Sequence, residues 1–127
     1  MPFVVFHYTC TPAARSMPSR RLMWCLAAFA QSASRAFMSA KHAVLKEVFG
    51  FDSFRPGQEH IVDCLLTDRN VLAVMPTGAG KSLTYQVPAL VKGGLTVVVS
   101  PLVALMHDQV AALKLAGVAA ETINSAA

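Results

Sequence analysis

The stretch Met75-Pro76-Thr77-Gly78-Ala79-Gly80-Lys81-Ser82 decides how the rest of this 127-residue sequence is interpreted. It lies between a short apolar run at residues 71–75 and an amphipathic segment at residues 81–91. A glycine-rich turn between a buried strand and a helix is the usual context of a phosphate-binding loop. The stretch departs from the general pattern G-x-x-x-x-G-K-[ST] at Met75, which stands where that pattern has glycine.

The residue types in this loop suit the binding of a nucleoside triphosphate. Gly78 and Gly80 let the backbone N–H groups turn inward, where they and the positive end of the next helix can hold phosphate. Lys81 can place its ammonium against the β- and γ-phosphates, and Ser82 can offer its hydroxyl to Mg²⁺. We therefore predict that Lys81 and Ser82 are catalytic, and that the nucleotide contacts are Thr77, Gly78, Ala79, Gly80, Lys81 and Ser82.

A second polar block precedes the loop at residues 49–58, with the sequence F-G-F-D-S-F-R-P-G-Q. The side-chain amide of Gln58 has a donor and an acceptor that could pair with the N6 and N7 edge of adenine. Phe51 or Arg55 could stack on the purine face. These three residues are our candidates for base recognition, and the Gln58 amide accounts for a preference for ATP over GTP.

The remaining pattern predicts alternating helices and strands. Helices are expected from an N-cap at Ser39 to Gly50, from Pro56 onward, over residues 81–91 with a kink at Pro88, and from Ser100-Pro101 to Gly117. Continuous apolar runs predict buried strands at residues 71–75 and 95–99, and a third strand could begin within residues 118–123. The order predicts an α/β fold: part of a phosphate-loop domain with a parallel sheet, preceded by two helices and an irregular N-terminal segment.

Composition changes near residue 40. The first forty residues carry four arginines and no acid, so they hold the whole net charge of +4, and residues 41–127 are neutral. The charge is therefore no argument for a basic nucleic-acid-binding face. We divide the chain into an extension at residues 1–38 and a domain at residues 39–127. The extension could be a targeting peptide, a disordered addition, or sequence upstream of a natural start at Met38, which we favour.

Other classes are excluded by composition. Apolar residues make up 54% and charged residues 14%, which is not the composition of a disordered chain. No uncharged run reaches the roughly 18 residues that a membrane span needs, so we expect no membrane association. The three scattered cysteines suit neither a disulfide framework nor a zinc site.

Four consecutive elements, at residues 49–58, 75–89, 100–110 and 117–125, resemble the RecQ family of DNA helicases. The resemblance implies a RecA-like motor lobe that uses ATP and Mg²⁺ and acts on single-stranded or partly duplex DNA, with 3′-to-5′ unwinding in repair and recombination. It implies DNA contacts from Ser100, Pro101, His107 and Gln109. It also implies a cytoplasmic, nucleoid-associated location in a bacterium, or a nuclear or organellar one in a eukaryote; the oligomeric state stays open.

Two alternatives remain beside this interpretation. A helicase needs an acidic pair that holds Mg²⁺ and orients water, and arginines from a second lobe. After Asp108 the sequence has a single acid, Glu121, and no D-E-x-H motif. We therefore expect the front part of the first motor lobe, without turnover on its own. The alternatives are an inactive gene remnant or misannotated fragment that at most binds ATP, and a different phosphate-loop ATPase.

Overall fold

Four helices form the framework of the part of the chain that the structure describes. The computed structural model describes the backbone of residues 22–123 and the side chains of residues 35–123. The first part of the predicted extension, residues 1–21, and the end of the last RecQ-like element, residues 124–125, lie outside the described residues. The helices are α1 (Leu22–Glu47), α2 (Gln58–Leu66), α3 (Lys81–Lys92) and α4 (Val103–Leu115).

Helix α1 begins much earlier than the sequence predicted. The expected N-cap at Ser39 is wrong, and so is the irregular segment for residues 22–38, because the helix starts at Leu22 and runs through both. Residues 22–38 contain no proline or glycine and are rich in alanine and leucine, which favour helix. The division at residue 38 into extension and domain stays a prediction.

The predicted end of α1 at Gly50 is confirmed. Gly50 has a φ of 75°, in the left-handed region that glycine adopts without steric cost. Its N–H donates to the Lys46 carbonyl and the Phe51 N–H donates to the Leu45 carbonyl, each at 3.1 Å. These bonds satisfy carbonyls that the last turn of a helix otherwise leaves open.

The other helices lie close to their predicted positions. Helix α3 matches the prediction and contains Pro88, whereas α2 begins at Gln58, after a turn at Pro56 and Gly57. Helix α4 begins two residues after Pro101, so the predicted N-cap at Ser100 is displaced: its Oγ accepts a hydrogen bond from the Leu102 N–H at 3.3 Å. Gly117 ends α4 as predicted, with a φ of 79°.

The predicted parallel sheet is absent from the described residues. No residue between 22 and 123 is in a strand, including the three apolar segments at residues 71–75, 95–99 and 118–123. Side-chain exposure alternates along these segments, and Leu72, Val74 and Leu95 are 70%, 74% and 91% exposed. A parallel strand is stable when neighbouring strands bond to it and both faces are covered. The four helices do not supply that cover, so these segments do not form strands. The prediction was wrong because it was based on apolar content alone.

The hydrophobic core lies where α3 packs against α1 and α2. Its fully covered members are Leu45 from α1, Val62 from α2 and Val87 from α3, joined by Leu66. Partly buried apolar side chains surround them: Phe37, Val44, Phe49, Phe54, Leu83 and Val91. Because α2 and α3 follow the two polar blocks of the sequence, this core sets the distance between those blocks.

A buried lysine joins α1 to α2 through two partly exposed carboxylates. Lys41 is fully buried, and its ammonium contacts Glu59 Oε1 at 2.9 Å and the carboxylate of Asp63. Burial lowers the pKa of Lys41, but the hydrogen bonds to Asp63 and Glu59 and the attraction of both carboxylates outweigh it and leave that pKa raised. Lys41 is therefore charged at neutral pH, and the first turn of α2 is tied to α1. Among the described helices, none is long and apolar enough to cross a membrane.

We expect Leu45→Ala to lower the free energy of unfolding by about 2–5 kcal/mol, because it removes a side chain with no exposed surface from the junction of the helices. Met38→Ala is the matched control on α1: Met38 is 47% exposed, and its change should stay within about 0.5 kcal/mol. Urea unfolding followed by circular dichroism measures both values. Equal effects of the two substitutions would contradict the described packing of α1.

Candidate nucleotide-binding site

The phosphate-loop motif folds as a tight turn that leads directly into α3. Gly78 and Gly80 have φ values of 83° and 76°, so both use the left-handed region as the sequence predicted. The Ala79 N–H donates to the Pro76 carbonyl at 3.2 Å, which closes the turn. Lys81 is then the first residue of α3, and the positive end of that helix faces the loop.

Gln58 holds this turn from the side. It is the first residue of α2 and is only 1% exposed. Its Nε2 donates to the carbonyls of Ala79 at 3.2 Å and Gly80 at 2.9 Å, and its Oε1 accepts the Arg55 N–H at 2.8 Å. The amide N–H groups that could pair with adenine thus already donate hydrogen bonds to carbonyls of the loop. Base recognition by Gln58 stays a prediction, and it requires an exchange of these bonds.

Gly80 is the residue that makes this approach possible. A Cβ at position 80 would lie 2.4 Å from Gln58 Nε2, a distance that real side chains do not adopt. Gly78 has open space at the same position. The two glycines therefore differ: Gly78 is required by backbone conformation alone, and Gly80 by conformation and by the close contact.

The other two candidates for base recognition also lie beside the loop. Arg55 is exposed, and its Nη1 donates to the Gly78 carbonyl at 2.8 Å. Phe51 is 48% exposed and faces the same space. The structure thus brings the upstream polar block to the phosphate loop, 23 positions away in sequence for Arg55 and Gly78.

Lys81 and Ser82, the predicted phosphate and Mg²⁺ contacts, are the first two residues of α3. The Lys81 ammonium donates to the Met75 carbonyl at 2.7 Å, across the mouth of the loop. Met75 uses its backbone for this contact, so the missing glycine of the general motif leaves the lysine's position intact. Ser82 is half-buried and lines the same cavity as Tyr85.

A cavity of about 490 Å³ joins these groups. This volume lies in the usual range for small-molecule sites. The predicted site residues that line it are Phe51, Arg55, Gln58, Thr77, Gly78, Gly80, Lys81, Ser82, Ser100, Pro101 and Gln109. Ala79 and His107 do not line it, and His107 lies on the exposed surface of α4. Three of the four predicted DNA contacts therefore line the same cavity as the predicted nucleotide contacts, and the fourth is apart from it.

Sequence reasoning missed Tyr85, which is 6% exposed and also lines the cavity. Its Oη donates to Gln109 Oε1 on α4 at 2.5 Å. The signal was its spacing: residues three apart on a helix share a face, and Ser82 and Tyr85 are three apart. In the sequence, Tyr85 is part of the RecQ-like element at residues 75–89.

The sequence that forms this site matches a known protein family. Residues 55–125, more than half of the chain, match the DEAD/DEAH box helicase family. The chain belongs to the DEAD/DEAH box helicase family. This membership implies a RecA-like fold for the domain, and the matched residues include the loop, α3 and α4.

Within this helicase family the similarity is to RecQ proteins, which confirms the resemblance drawn from the motifs. The chain is 53% identical over 83 residues to the ATP-dependent DNA helicase RecQ of Haemophilus influenzae, covering 65% of this chain and 13% of that protein. It is 48% identical over 84 residues to RecQ of Bacillus subtilis and 46% identical over 85 residues to ATP-dependent DNA helicase Q1 of Rattus norvegicus. Those matches cover 65% and 67% of this chain, and 14% of each relative. The chain thus spans about one seventh of these relatives' length.

We expect Gly80→Ala to destabilise the helicase-family chain more than Gly78→Ala does. A left-handed alanine costs about 1–2 kcal/mol at either position. At position 80 the new Cβ must also displace the Gln58 amide, which adds about 1–3 kcal/mol for disrupted buried hydrogen bonds. Urea unfolding of both variants measures the difference.

The same pair of substitutions in a Gln58→Ala background is the control. There the extra cost at position 80 should disappear, because no side-chain amide occupies the space. If the Gly80→Ala cost is unchanged by the loss of Gln58, the described contact does not hold the loop.

Proposed function

We propose that this chain supplies the ATP-binding part of the first motor lobe of a RecQ-type DNA helicase. The observation that carries the proposal is that Lys81, Ser82 and the upstream polar block at residues 49–58 meet at one cavity beside a glycine turn. The printed names of its relatives, ATP-dependent DNA helicases, support ATP as the nucleotide. The complete protein's activity, 3′-to-5′ unwinding of DNA in repair and recombination, is part of the proposal.

The residues present fit Mg²⁺ and a triphosphate. Gly78 and Gly80 form a turn that lines the cavity at the start of α3, and Lys81 places a positive charge beside it. The Ser82 hydroxyl is an oxygen ligand of the type that Mg²⁺ prefers. Mg²⁺, when bound, neutralises charge on the β- and γ-phosphates. Lys81 would hold the γ-phosphate side, and the start of α3 would attract the phosphates.

We further propose that DNA lies along the segment from Ser100 to α4. Ser100, Pro101 and Gln109 line the far side of the nucleotide cavity, so a strand bound there would lie next to the triphosphate. His107, exposed on α4, would contact the same strand outside the cavity. In this proposal the DNA contacts and the nucleotide contacts lie on adjoining surfaces, which is what coupling between them requires.

We propose that the three apolar segments at residues 71–75, 95–99 and 118–123 form strands of a parallel sheet in the complete RecA-like lobe. Their exposure alternates with the two-residue period of extended chain, and Leu95 and Ile123 are 91% and 95% exposed. Exposed apolar rows of this kind are stable when covered by further strands and helices. We propose that pairing of these segments in the complete lobe buries them.

A second candidate is nucleotide binding without turnover by these residues. Among the described residues, none of those that line the cavity is an aspartate or glutamate. Hydrolysis requires a group that positions the attacking water. Glu121, the acid nearest the end of the chain, instead pairs with Lys114 at 2.7 Å. The two candidates are separated by measuring binding and hydrolysis on the same sample.

We expect Lys81→Ala to weaken ATP binding by at least about tenfold, because a charge-assisted hydrogen bond to phosphate is lost. Titration with a fluorescent ATP analogue measures the dissociation constant. Lys114→Ala is the matched control: it also removes one lysine charge, but from an exposed pair with Glu121 outside the cavity. Its affinity should equal that of the unsubstituted chain.

Unchanged affinity in the Lys81→Ala variant would contradict the proposed nucleotide site. Circular dichroism and thermal unfolding of each variant separate loss of binding from loss of fold. Binding without hydrolysis by the unsubstituted chain would support the second candidate for these residues.

A further inference from the structure

The turn at residues 54–59, which leads into α2, contacts the phosphate loop through two side chains. Arg55 Nη1 donates to the Gly78 carbonyl, and Gln58 Nε2 donates to the next two carbonyls of the loop. Arg55 and Gln58 are also bonded to each other. The Gln58 N–H donates to the Arg55 carbonyl at 3.1 Å, and the Arg55 N–H donates to Gln58 Oε1 at 2.8 Å. The two side chains that reach the loop are therefore fixed relative to one another.

Two consecutive residues of α1 contact the same turn. Lys41 is fully buried, and its ammonium contacts Glu59 Oε1 at 2.9 Å and the carboxylate of Asp63. The same ammonium lies 6.0 Å from the centre of the Phe54 ring. His42 makes an edge-to-face contact with Phe54, with 5.4 Å between the ring centroids, and its Nε2 lies 3.1 Å from Glu59 Oε1. Lys41 and His42 thus contact both ends of the turn.

The contacts of α1 fall next to the two side chains that reach the loop. Phe54 directly precedes Arg55, and Glu59 directly follows Gln58. A buried ammonium must keep its carboxylate partners, because an unpaired charge inside a protein is strongly unfavourable. Lys41 therefore fixes the start of α2 against α1, at the position from which Gln58 reaches the loop.

The hydrogen bonds from Gln58 determine which way the loop N–H groups point. In a planar trans peptide unit, the carbonyl of one residue and the N–H of the next point in opposite directions. Because Gln58 binds the carbonyls of Ala79 and Gly80, the N–H groups of Gly80 and Lys81 point away from Gln58. These N–H groups belong to the loop and helix start that are predicted to hold phosphate. A shift of Gln58 would turn them out of place.

We propose that Lys41 is a positioning residue for the phosphate-binding loop: it fixes the turn at residues 54–59 against α1, and the turn, through Gln58, fixes the direction of the loop N–H groups. Lys41 does not itself line the cavity, so it acts only through these contacts. The inference rests on the proposed binding of ATP and Mg²⁺. It adds that α1 contributes to the affinity for phosphate, and that the contribution does not depend on the base.

The test measures binding of inorganic tripolyphosphate with Mg²⁺, in competition with a fluorescent ATP analogue. Tripolyphosphate has no base, so its affinity reports on the phosphate loop and not on base recognition. Lys41→Met removes the charge and keeps an unbranched side chain of similar length, so the core stays filled. We expect the dissociation constants of tripolyphosphate and of the ATP analogue both to rise about fivefold, because Gln58 no longer binds the loop carbonyls in a fixed position.

Lys46→Met is the matched control. Lys46 lies on the same helix and pairs with Asp52 of the upstream polar block at 3.2 Å, but the two side chains are 72% and 87% exposed. An exposed pair of this kind contributes little to the position of either residue. The control removes the same charge as Lys41→Met, and its affinity for tripolyphosphate should equal that of the unsubstituted chain. Equal losses in the two variants would overturn the proposal, because they would reflect charge alone.

A double-mutant cycle with Gln58→Ala separates positioning from stability. If Lys41 acts through Gln58, Lys41→Met should cost no further affinity for tripolyphosphate once the amide is absent. A role in stability alone would add the same loss of affinity in both backgrounds. That additive result would overturn the positioning role. Circular dichroism and urea unfolding confirm that each variant is folded under the conditions of the titration.

Glu59→Ala tests the same link if Lys41→Met does not fold. It removes the acceptor that Lys41 and His42 share and leaves Asp63 to pair with Lys41. Loss of a negative charge would by itself favour phosphate binding, so a weaker affinity reports a lost position. We expect the dissociation constant of tripolyphosphate to rise about threefold. An unchanged or tighter affinity would overturn the proposal.

The two probes also distinguish failure of this inference from failure of the proposed function. If the unsubstituted chain binds both probes and Lys41→Met leaves the affinity for tripolyphosphate unchanged, the role of Lys41 is overturned and the nucleotide site stands. The same holds if only the ATP analogue binds more weakly, because the effect would then lie at the base. If the unsubstituted chain binds neither probe, the proposed function itself is overturned, and this inference with it.

Discussion

The site depends on one buried amide. Gln58 begins α2, and its side chain reaches the backbone carbonyls of the phosphate loop at the start of α3. Because it is almost fully buried, each of these hydrogen bonds replaces water that the amide would otherwise need. The loop cannot shift without leaving polar groups of Gln58 unsatisfied, and Gly80 is the residue that lets the amide approach. The shape of the phosphate-binding turn is thus set from outside the turn, by another helix.

The packing below the site makes this contact possible. Lys41 pairs with Glu59 and Asp63, which fixes the first turns of α2 against α1, and the core around Val62 and Val87 fixes α2 against α3. Gln58 and the loop therefore meet at a distance that the three helices determine together. Helix α4 is different: it buries no residue, and the hydrogen bond between Gln109 and Tyr85 joins it to α3 beside the cavity. We expect it to be the element that moves most readily when a partner binds.

Local features of the sequence predicted the parts of the fold that depend on local forces. The glycine spacing predicted the loop, the apolar period predicted α3, and Gly50 and Gly117 predicted two helix ends, because a left-handed residue at a helix end is a local requirement. The start of α1 was missed because Ser39 suits both an N-cap and a helix interior when the preceding residues favour helix. The strands at residues 71–75 and 95–99 were predicted from apolar content, but pairing depends on neighbours that content does not specify. Likewise, the residues around Gln58 in sequence do not show that its amide donates hydrogen bonds to the loop. Those around Tyr85 do not show that its hydroxyl donates to Gln109.

The central claim is that the phosphate loop and the start of α2 act as one unit when nucleotide binds. Amide hydrogen exchange of the chain, with and without a non-hydrolysable ATP analogue and Mg²⁺, tests it most directly. The account predicts that nucleotide slows exchange at residues 78–82 and, in the same titration, at residues 58–62 in the first turns of α2. Protection of the loop with unchanged exchange in α2, or no protection of the loop at saturating nucleotide, would contradict it.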